Sequence, residues 1–174
     1  MTAPIDLIPT VETDRLILRA PKLDDLPAVT AFFASAQSHT VGGPRDDLGS
    51  AMSMNATFGQ WVLYGFGSWF IAERDSDAYL GRTGFIMAPG WEEPELGWAV
   101  TTEAEGKGIA TEATLAARSY GARHLGLNGV ISYIRPTNTR SAAMARRLGA
   151  TLETTHDDWR GAPCDVYRHP KEAA

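Results

Sequence analysis

Two glycines stand directly before an alanine-rich helical pattern in the stretch EAEGKGIATEA, residues 103–113. Glycine has no Cβ, so the backbone at Gly106 and Gly108 lets a ligand approach closely. The first N–H groups of a helix have no partners within it and carry the positive end of its dipole. The pattern therefore predicts an anion-binding turn, to which Lys107 adds positive charge.

Two common phosphate-binding turns do not match this stretch. A P-loop requires G-x-x-x-x-G-K-[ST], but Lys107 precedes Gly108 and no Ser or Thr follows directly. A dinucleotide fingerprint requires G-x-G-x-x-G within a first βαβ unit, whereas Thr111 holds the closing position and a strand meander precedes the turn. A nicotinamide- or nucleotide-binding enzyme is therefore the least favoured of the functions compatible with the turn.

Other catalytic signatures are missing from the sequence. There is no G-x-S-x-G motif, and Cys164, the single cysteine, has no companion motif and is expected to be a small core residue. The four histidines do not show metal-ligand spacing, so no metal is predicted.

Length and composition indicate one globular domain over residues 1–174, with 44% hydrophobic and 21% charged residues. A net charge of −5 argues against a nucleic-acid partner. The single cysteine fits a reducing compartment. The N-terminal MTAPIDLIPT lacks the features of a secretory signal, and no apolar run is long enough to span a membrane. These observations together predict a cytoplasmic protein without a membrane partner.

Hydrophobic periodicity predicts the elements that position the glycine turn. A strand over 13–20 precedes two helices, the second over 46–64. Strands over 67–74, 79–89 and 94–101 form a meander, a helix over 108–124 and a strand over 130–134 follow, and a helix opened by Pro136-Thr137-Asn138 leads to two final strands. Strands joined by the 108–124 helix should be parallel. The order β-α-α-β-β-β-α-β-α-β-β predicts a mixed-sheet α+β or α/β domain.

Several of these segments together resemble the GCN5-related N-acetyltransferase (GNAT) superfamily. They are PELGWAV, EGKGIATEA, NTRSAAMARRLGA and the opening TDRLILRAPKLDDL, which is typical of the ribosomal-protein-alanine N-acetyltransferase-like (RimJ/RimL-type) branch. The resemblance covers about Thr13 to Arg168. It implies an α/β/α sandwich with a mixed, mostly antiparallel seven-stranded sheet, about four helices and a splayed central pair of parallel strands.

The resemblance implies that acetyl-CoA is the co-substrate. Its pyrophosphate would lie on the turn, at Gly106, Lys107, Gly108, Ile109, Ala110 and Thr111. A bulged strand would offer the backbone of Trp98 and Val100 to the pantetheine arm. Asn138 would contact that arm and Ser141 would lie near the sulfur. Asn138 is equally a good helix N-cap, and the side chain of Trp98 is expected in the core. Glu105 replaces the usual Gln or Arg, and we expect it to point away from the phosphates.

Acyl transfer to an amine requires a neutral nucleophile, so a positioned base helps the reaction. Glu95 precedes the turn at a spacing similar to that of a strand glutamate in some relatives, and it is the candidate base; the alternative is a solvated carboxylate beside Glu92 and Glu93. The tyrosine with which many relatives protonate the thiolate is replaced by Ala145. Ser141 is then the first candidate acid, followed by Tyr133 and by water.

Relatives acetylate protein N-termini, amino acids, polyamines and antibiotics, so the predicted acceptor is a small-molecule amine or a peptide N-terminus. The acceptor region is predicted within 37–64, which contains Met52, Met54, Phe58 and Trp61. The missing tyrosine and the acidic Glu105 keep a non-catalytic acyl-CoA-binding or sensing module as the alternative. A homodimer is compatible with the sequence, since relatives are often dimers.

Overall fold

The computed structural model describes residues 7–172 and contains an eight-stranded mixed sheet with four α-helices. The first six residues, on which part of the signal-sequence expectation rests, lie outside the described part. The strands are β1 (Val11–Glu12), β2 (Leu16–Arg19), β3 (Ser68–Glu73), β4 (Tyr79–Ile86), β5 (Glu95–Val100), β6 (Ile131–Ile134), β7 (Thr151–Trp159) and β8 (Ala162–Arg168). The helices are α1 (Leu26–Ala34), α2 (Asp47–Tyr64), α3 (Ile109–His124) and α4 (Thr139–Arg147).

The strands lie in the order β1-β2-β3-β4-β5-β6-β8-β7, and only β5 and β6 are parallel. The prediction of seven strands was wrong by one. The additional strand, β1, has two residues and pairs Val11 with Leu18 of β2. Two residues are too few to show an alternating pattern, so periodicity did not reveal it.

Local sequence explains where the helices begin and end. The Asp46 side chain accepts a hydrogen bond from the Gly49 N–H at 2.8 Å and begins α2, which ends at the left-handed Gly65. Asn138 begins α4 in the same way, since its Oδ1 accepts from the Ser141 N–H at 3.1 Å. The predicted N-cap is therefore present in the structure.

The sheet carries core residues on both faces. Trp69 and Ile71 of β3 pack with residues of α3, whereas Phe70 between them packs with α1 and α2. Alternate side chains of a strand point to opposite faces, so α3 covers one face and α1 and α2 cover the other. A Cβ on Gly121 of α3 would lie 2.2 Å from the Phe85 ring, and α3 can therefore pack this close only with glycine there.

The two parallel strands separate almost at once. β5 and β6 pair only at Glu95 and Ile131, whereas β5 pairs with β4 without a register shift from Glu95 to Val100. The bulge expected in β5 is therefore absent, and the predicted splay comes from divergence of the two strands. Beyond Glu95, the edge of β5 that faces β6 has lost its ladder partner.

A side-chain network holds the strands together where they separate. The Ser132 Oγ donates to the Leu96 carbonyl at 2.6 Å and accepts from Nε2 of buried His169 at 2.9 Å. Burial lowers the pKa of His169 to about 4, so its ring is neutral at physiological pH. Within residues 7–172, no helix combines the length and apolar character needed to cross a lipid bilayer.

Candidate active site

The two glycines of the turn adopt a backbone conformation that other residues rarely adopt. Gly106 and Gly108 are left-handed, with φ of 70° and 77°, and α3 begins at Ile109. A Cβ on Gly106 would meet no atom within 4 Å, so the space in front of the turn is open. These residues line a cavity of about 590 Å³, the turn cavity, together with Val100, Ala110 and Thr111. A helix start facing an open cavity offers N–H donors to an anion.

Lys107 differs from its neighbours in the turn, because it does not line the turn cavity. Its carbonyl instead accepts a hydrogen bond from Arg15 Nη1 at 3.1 Å. Arg15 also bonds the Glu112 carboxylate through Nε at 2.7 Å, and Thr13 donates to the same carboxylate at 2.6 Å. This contact joins the connection between β1 and β2 to the first turn of α3 and fixes the glycine turn, and sequence reasoning missed it.

Glu105 forms an ion pair across the turn cavity. Its Oε1 lies 2.6 Å from Nη2 of Arg140, which belongs to the first turn of α4. Both residues line the turn cavity, one from the α3 side and one from the α4 side. Glu105 thus borders the turn cavity instead of pointing away from the phosphate position as expected, and sequence reasoning also missed Arg140, its partner 35 residues further along the chain.

A second cavity of about 690 Å³ lies over the sheet face that α1 and α2 cover; we call it the Glu95 cavity. Its floor contains Ile86 of β4 and Glu95 and Gly97 of β5. Its walls come from the connection between α1 and α2, from β6 and from the turn between β7 and β8. The split between β5 and β6 thus opens at Glu95 into this cavity.

Glu95 is held by a hydrogen bond at the edge of this cavity, and its pKa is raised. Its Oε2 accepts a hydrogen bond from Trp91 Nε1 at 2.8 Å. Burial raises the pKa of Glu95 to about 7, although hydrogen bonds from Trp91 and from the Tyr133 backbone lower it. A carboxyl with a pKa near the working pH can both accept and release a proton readily. Glu95 is half-buried, whereas Glu92 is exposed.

Aromatic side chains form one wall of the Glu95 cavity. The Tyr133 and Trp159 rings stack at 4.4 Å, and Trp91 meets Trp159 edge-on at 5.1 Å. Arg160 lies over the Trp91 ring, with Cζ 4.7 Å from the centroid. Sequence analysis missed this wall, because its members come from three separate parts of the chain.

Ser141 lies where the two cavities meet, since it lines both, as do Trp98 and Asn138. Its Oγ has no hydrogen-bond partner among residues 7–172 and is available to a ligand. Tyr133 is placed differently, because its hydroxyl accepts from the Glu92 N–H at 3.4 Å. Ala145, at the position of the tyrosine found in relatives, is fully buried against Ile134 and Ala150.

The remaining candidates are settled by burial. Cys164 is buried, as predicted, and burial raises the pKa of its thiol to about 11, which leaves no reactive thiolate. No group of three metal-ligating side chains occurs in the part of the chain that the structure describes.

Part of the predicted acceptor region within 37–64 lines the Glu95 cavity. Residues 39–42 and Arg45 line the Glu95 cavity, but the aromatic and Met residues of this region do not. Trp61 packs on Trp69 at 4.8 Å in the core, Met54 packs with Phe70, and Met52 is 61% exposed. Helical periodicity does not distinguish a side chain facing the sheet from one facing a cavity.

Comparisons with known proteins agree with this architecture. A family model described as an acetyltransferase (GNAT) domain matches residues 15–151. The uncharacterized N-acetyltransferase YoaA of Bacillus subtilis is 29% identical over 151 residues, covering 84% of this chain and 85% of the relative. The crystal structure of an acetyltransferase from Agrobacterium tumefaciens is 35% identical with a TM-score of 0.84, covering 94% and 95% of the two chains.

This chain therefore belongs to the GNAT acetyltransferase family, and it has the GNAT fold. Its structural neighbours include RimL, a ribosomal protein α-N-acetyltransferase solved in complex with coenzyme A. RimL is 18% identical with a TM-score of 0.79, covering 95% of this chain and all of that chain, a likeness that shows the shared fold. Membership identifies the protein as an acyltransferase that uses an acyl-CoA donor.

Proposed function

We propose that this protein is an acetyl-CoA-dependent N-acetyltransferase that moves the acetyl group directly to a primary amine within a ternary complex. The observation that carries the proposal is the meeting of two cavities along β5. The turn cavity has the anion-binding helix start, the Glu95 cavity has a carboxyl with a pKa of about 7, and Ser141 borders both. Donor and acceptor can therefore be bound together.

On the donor side, the N–H groups from Gly106 to Thr111 would bind the pyrophosphate, because the turn is open and the helix start is free. The unpaired edge of β5, at Trp98 and Val100, would bond the pantetheine arm in place of β6. Asn138 would contact the same arm from the start of α4. A contact between the Lys107 side chain and the pyrophosphate stays a prediction, and only the charge of Lys107 supports it.

On the acceptor side, Glu95 would accept the proton of the incoming ammonium, directly or through water. The amine nitrogen would then attack the thioester carbon, the carbon–sulfur bond would break, and the sulfur would leave as a thiolate while the nitrogen loses its second proton. Ser141 Oγ would donate a proton to the sulfur and take up the proton that the nitrogen releases, directly or through water. The acceptor is a small-molecule amine or a peptide N-terminus. We further propose one acyltransferase domain over residues 1–174, a cytoplasmic location and a homodimer; the single cysteine and the resemblance support these assignments.

The test has a binding stage and a turnover stage. The purified protein is titrated with acetyl-CoA by calorimetry, with NAD and ATP as controls, and thiol release is then followed across a panel of amines. One-site acetyl-CoA binding with amine-dependent thiol release supports the proposal. Binding without turnover across the whole panel would instead support an acyl-CoA sensing module, and no binding to any acyl-CoA would remove the donor assignment.

The base assignment has its own variant. Glu95→Gln keeps the size of the side chain and an acceptor for the Trp91 N–H, but it does not accept the ammonium proton. We expect kcat to fall by about 100-fold or more, with unchanged acetyl-CoA affinity. Glu92→Gln, on the exposed approach to β5, is the matched control. Full activity in Glu95→Gln would refute the base without affecting the donor site.

A further inference from the structure

Two guanidinium groups share one aromatic ring beside the Glu95 cavity. The Cζ atoms of Arg45 and Arg82 lie 5.0 Å and 5.5 Å from the centroid of the Phe33 ring. Arg45 comes from the segment before α2, and Arg82 comes from β4. Both line the Glu95 cavity and neither lines the turn cavity. The pair is therefore separate from the proposed phosphate position.

Neither arginine has a carboxylate partner within residues 7–172. The side chain of Arg82 donates only to Ser53 Oγ, at 3.3 Å, and that of Arg45 donates to the Gly42 carbonyl at 3.1 Å. Burial, and after it the neighbouring charge of Arg45, lowers the pKa of Arg82. An arginine has five N–H donors and is costly to bury without an anion.

Arg19, the most buried arginine among residues 7–172, has carboxylate partners, unlike half-buried Arg82. Arg19 is only 6% exposed, and its guanidinium bonds both oxygens of Asp25 at 2.8 Å and also bonds Asp77 at 2.6 Å. The positive charge of Arg19 is thus neutralised by carboxylates of the protein, whereas that of Arg82 is not. The missing counterpart at Arg82 indicates that the anion comes from outside the described chain.

Arg82 and Glu95 lie at opposite ends of one surface. Ile86 is directly opposite Glu95, and Ala99 is directly opposite Arg82, so all four side chains point to the same face of the sheet. Ile86 lies four positions after Arg82 along β4, which corresponds to about 13 Å of strand. Gly97 lies on this floor between the two ends and adds no side chain to fill it. The floor therefore has a cationic end and an acidic end with open space between.

We propose that the acceptor is a small amine that also carries a carboxylate several bonds from the reacting nitrogen. Arg82 and Arg45 bind the carboxylate, and Glu95 receives the amine. This inference rests on the proposed function, and it specifies which amines the site takes. The planar guanidinium fork fits a carboxylate in a bidentate manner. The same two charges disfavour a diamine, whose second ammonium would lie beside them.

The test uses three acceptors of one chain length: aminohexanoate, aminohexanol and diaminohexane. The proposal expects the wild-type kcat/KM to be about 10- to 100-fold higher for aminohexanoate than for the alcohol, with the diamine lowest. In Arg82→Gln the KM for aminohexanoate rises, so the preference over the alcohol disappears. Turnover of aminohexanol and the affinity for acetyl-CoA are unchanged. Arg45 is exposed, and Arg45→Gln should lower the preference in the same direction. It replaces Arg82→Gln as the test variant if that protein does not fold.

A binding measurement keeps this test independent of catalysis. Aminohexanoate and aminohexanol are titrated by calorimetry into the wild type and into both variants. If the wild type binds aminohexanoate and Arg82→Gln does not, the anion site is supported even when the protein shows no turnover. If no amine then gives thiol release, that result counts against the proposed function alone. Equal binding and equal kcat/KM for the acid and the alcohol in the wild type would overturn the inference.

Discussion

Trp91 donates its indole N–H to the carboxyl of Glu95, with 2.8 Å between Nε1 and Oε2. The donor is held in place by the aromatic wall, since the Trp91 ring meets Trp159 at 5.1 Å and Tyr133 at 6.2 Å. One end of the indole thus packs in the cavity wall while the other sets the ionisation of the proposed base. Because this hydrogen bond favours the charged carboxylate, it lowers the pKa of Glu95 against the effect of burial.

Replacing Trp91 with Phe should therefore move the pH dependence of the reaction. The ring contacts are largely kept, but the hydrogen bond that lowers the pKa of Glu95 is lost. We expect the midpoint of the pH profile of kcat/KM, near the pKa of about 7 of Glu95 in the wild type, to rise. The measurement is kcat/KM for the acceptor against pH. Trp159→Phe, which alters the wall without this bond, should leave the midpoint in place.

Because of Glu95, the free energy of unfolding should change with pH in the direction opposite to that given by a salt-bridged acid. Its pKa is about 7 in the folded protein against an ordinary 4.5, so the folded state retains a proton that the unfolded chain releases. The free energy of unfolding therefore falls as pH rises through this window. Glu95→Gln should be more stable than the wild type by about 1–3 kcal/mol at about pH 8. Denaturant unfolding below pH 4.5 should show no difference.

Gly106 and Gly126 provide a matched pair for the donor site. Both have φ of 70°, and a Cβ on either would meet no atom within 4 Å. Changing either to Ala should cost roughly 1 kcal/mol of stability through the left-handed conformation. Only Gly106 borders the turn cavity, so calorimetry should show weaker acetyl-CoA binding for Gly106→Ala alone. Equal affinities of the two variants would contradict an anion site on this turn.

The Glu105–Arg140 pair should oppose donor binding. The carboxylate repels a phosphate on the neighbouring turn, and its bond to Arg140, 70% exposed, occupies a guanidinium at the same cavity. An exposed ion pair contributes at most about 1 kcal/mol, so Glu105→Gln should tighten the Kd of acetyl-CoA by a few-fold, most clearly at low salt. Glu103→Gln, in the same loop, is the control. An unchanged or weaker affinity in Glu105→Gln would mean that the carboxylate does not face the donor.

Ser141 and Tyr133 are distinguished as acids by parallel variants. Ser141→Ala removes an unbonded hydroxyl between the cavities, and we expect kcat to fall by roughly 10-fold or more if it protonates the sulfur. Tyr133→Phe removes a hydroxyl that accepts a bond from Glu92 N–H, and it should leave kcat nearly unchanged. Single-turnover rates with saturating acetyl-CoA measure both. A larger loss of kcat in Tyr133→Phe than in Ser141→Ala would make Tyr133, and not Ser141, the acid that protonates the sulfur.

The sequence identified those parts of the fold that depend on local order. The segment 130–134 and the strands β3, β4 and β5 are rich in apolar residues because the sheet buries them. The glycines indicate the turn because their backbone is left-handed. Two-residue β1 lacks enough length for any such signal.

Pairings between distant segments were beyond sequence reasoning. Trp91, Tyr133 and Trp159 form one wall, and Arg45 meets Arg82 over Phe33, only because the sheet brings β4, β6 and the β7–β8 turn to the same cavity. The candidate base could be proposed from its position before the turn, but its raised pKa arises from burial that no local pattern records. Ser141 was proposed because the NTRSAAMARRLGA segment resembles the acetyltransferase family, and the helix cap at Asn138 alone would not have indicated it.

The two cavities have few residues in common. Of the many side chains around them, both cavities share only Thr40, Val41, Trp98, Ala99, Asn138 and Ser141. If the proposed function is correct, the acyl-CoA donor and the amine acceptor are therefore recognised by largely different residues. Substitutions in the aromatic wall or at the arginine pair can alter the choice of amine while the acyl-CoA site is inherited intact. Such a protein can acquire a new substrate in single mutational steps, each of which leaves a working donor site.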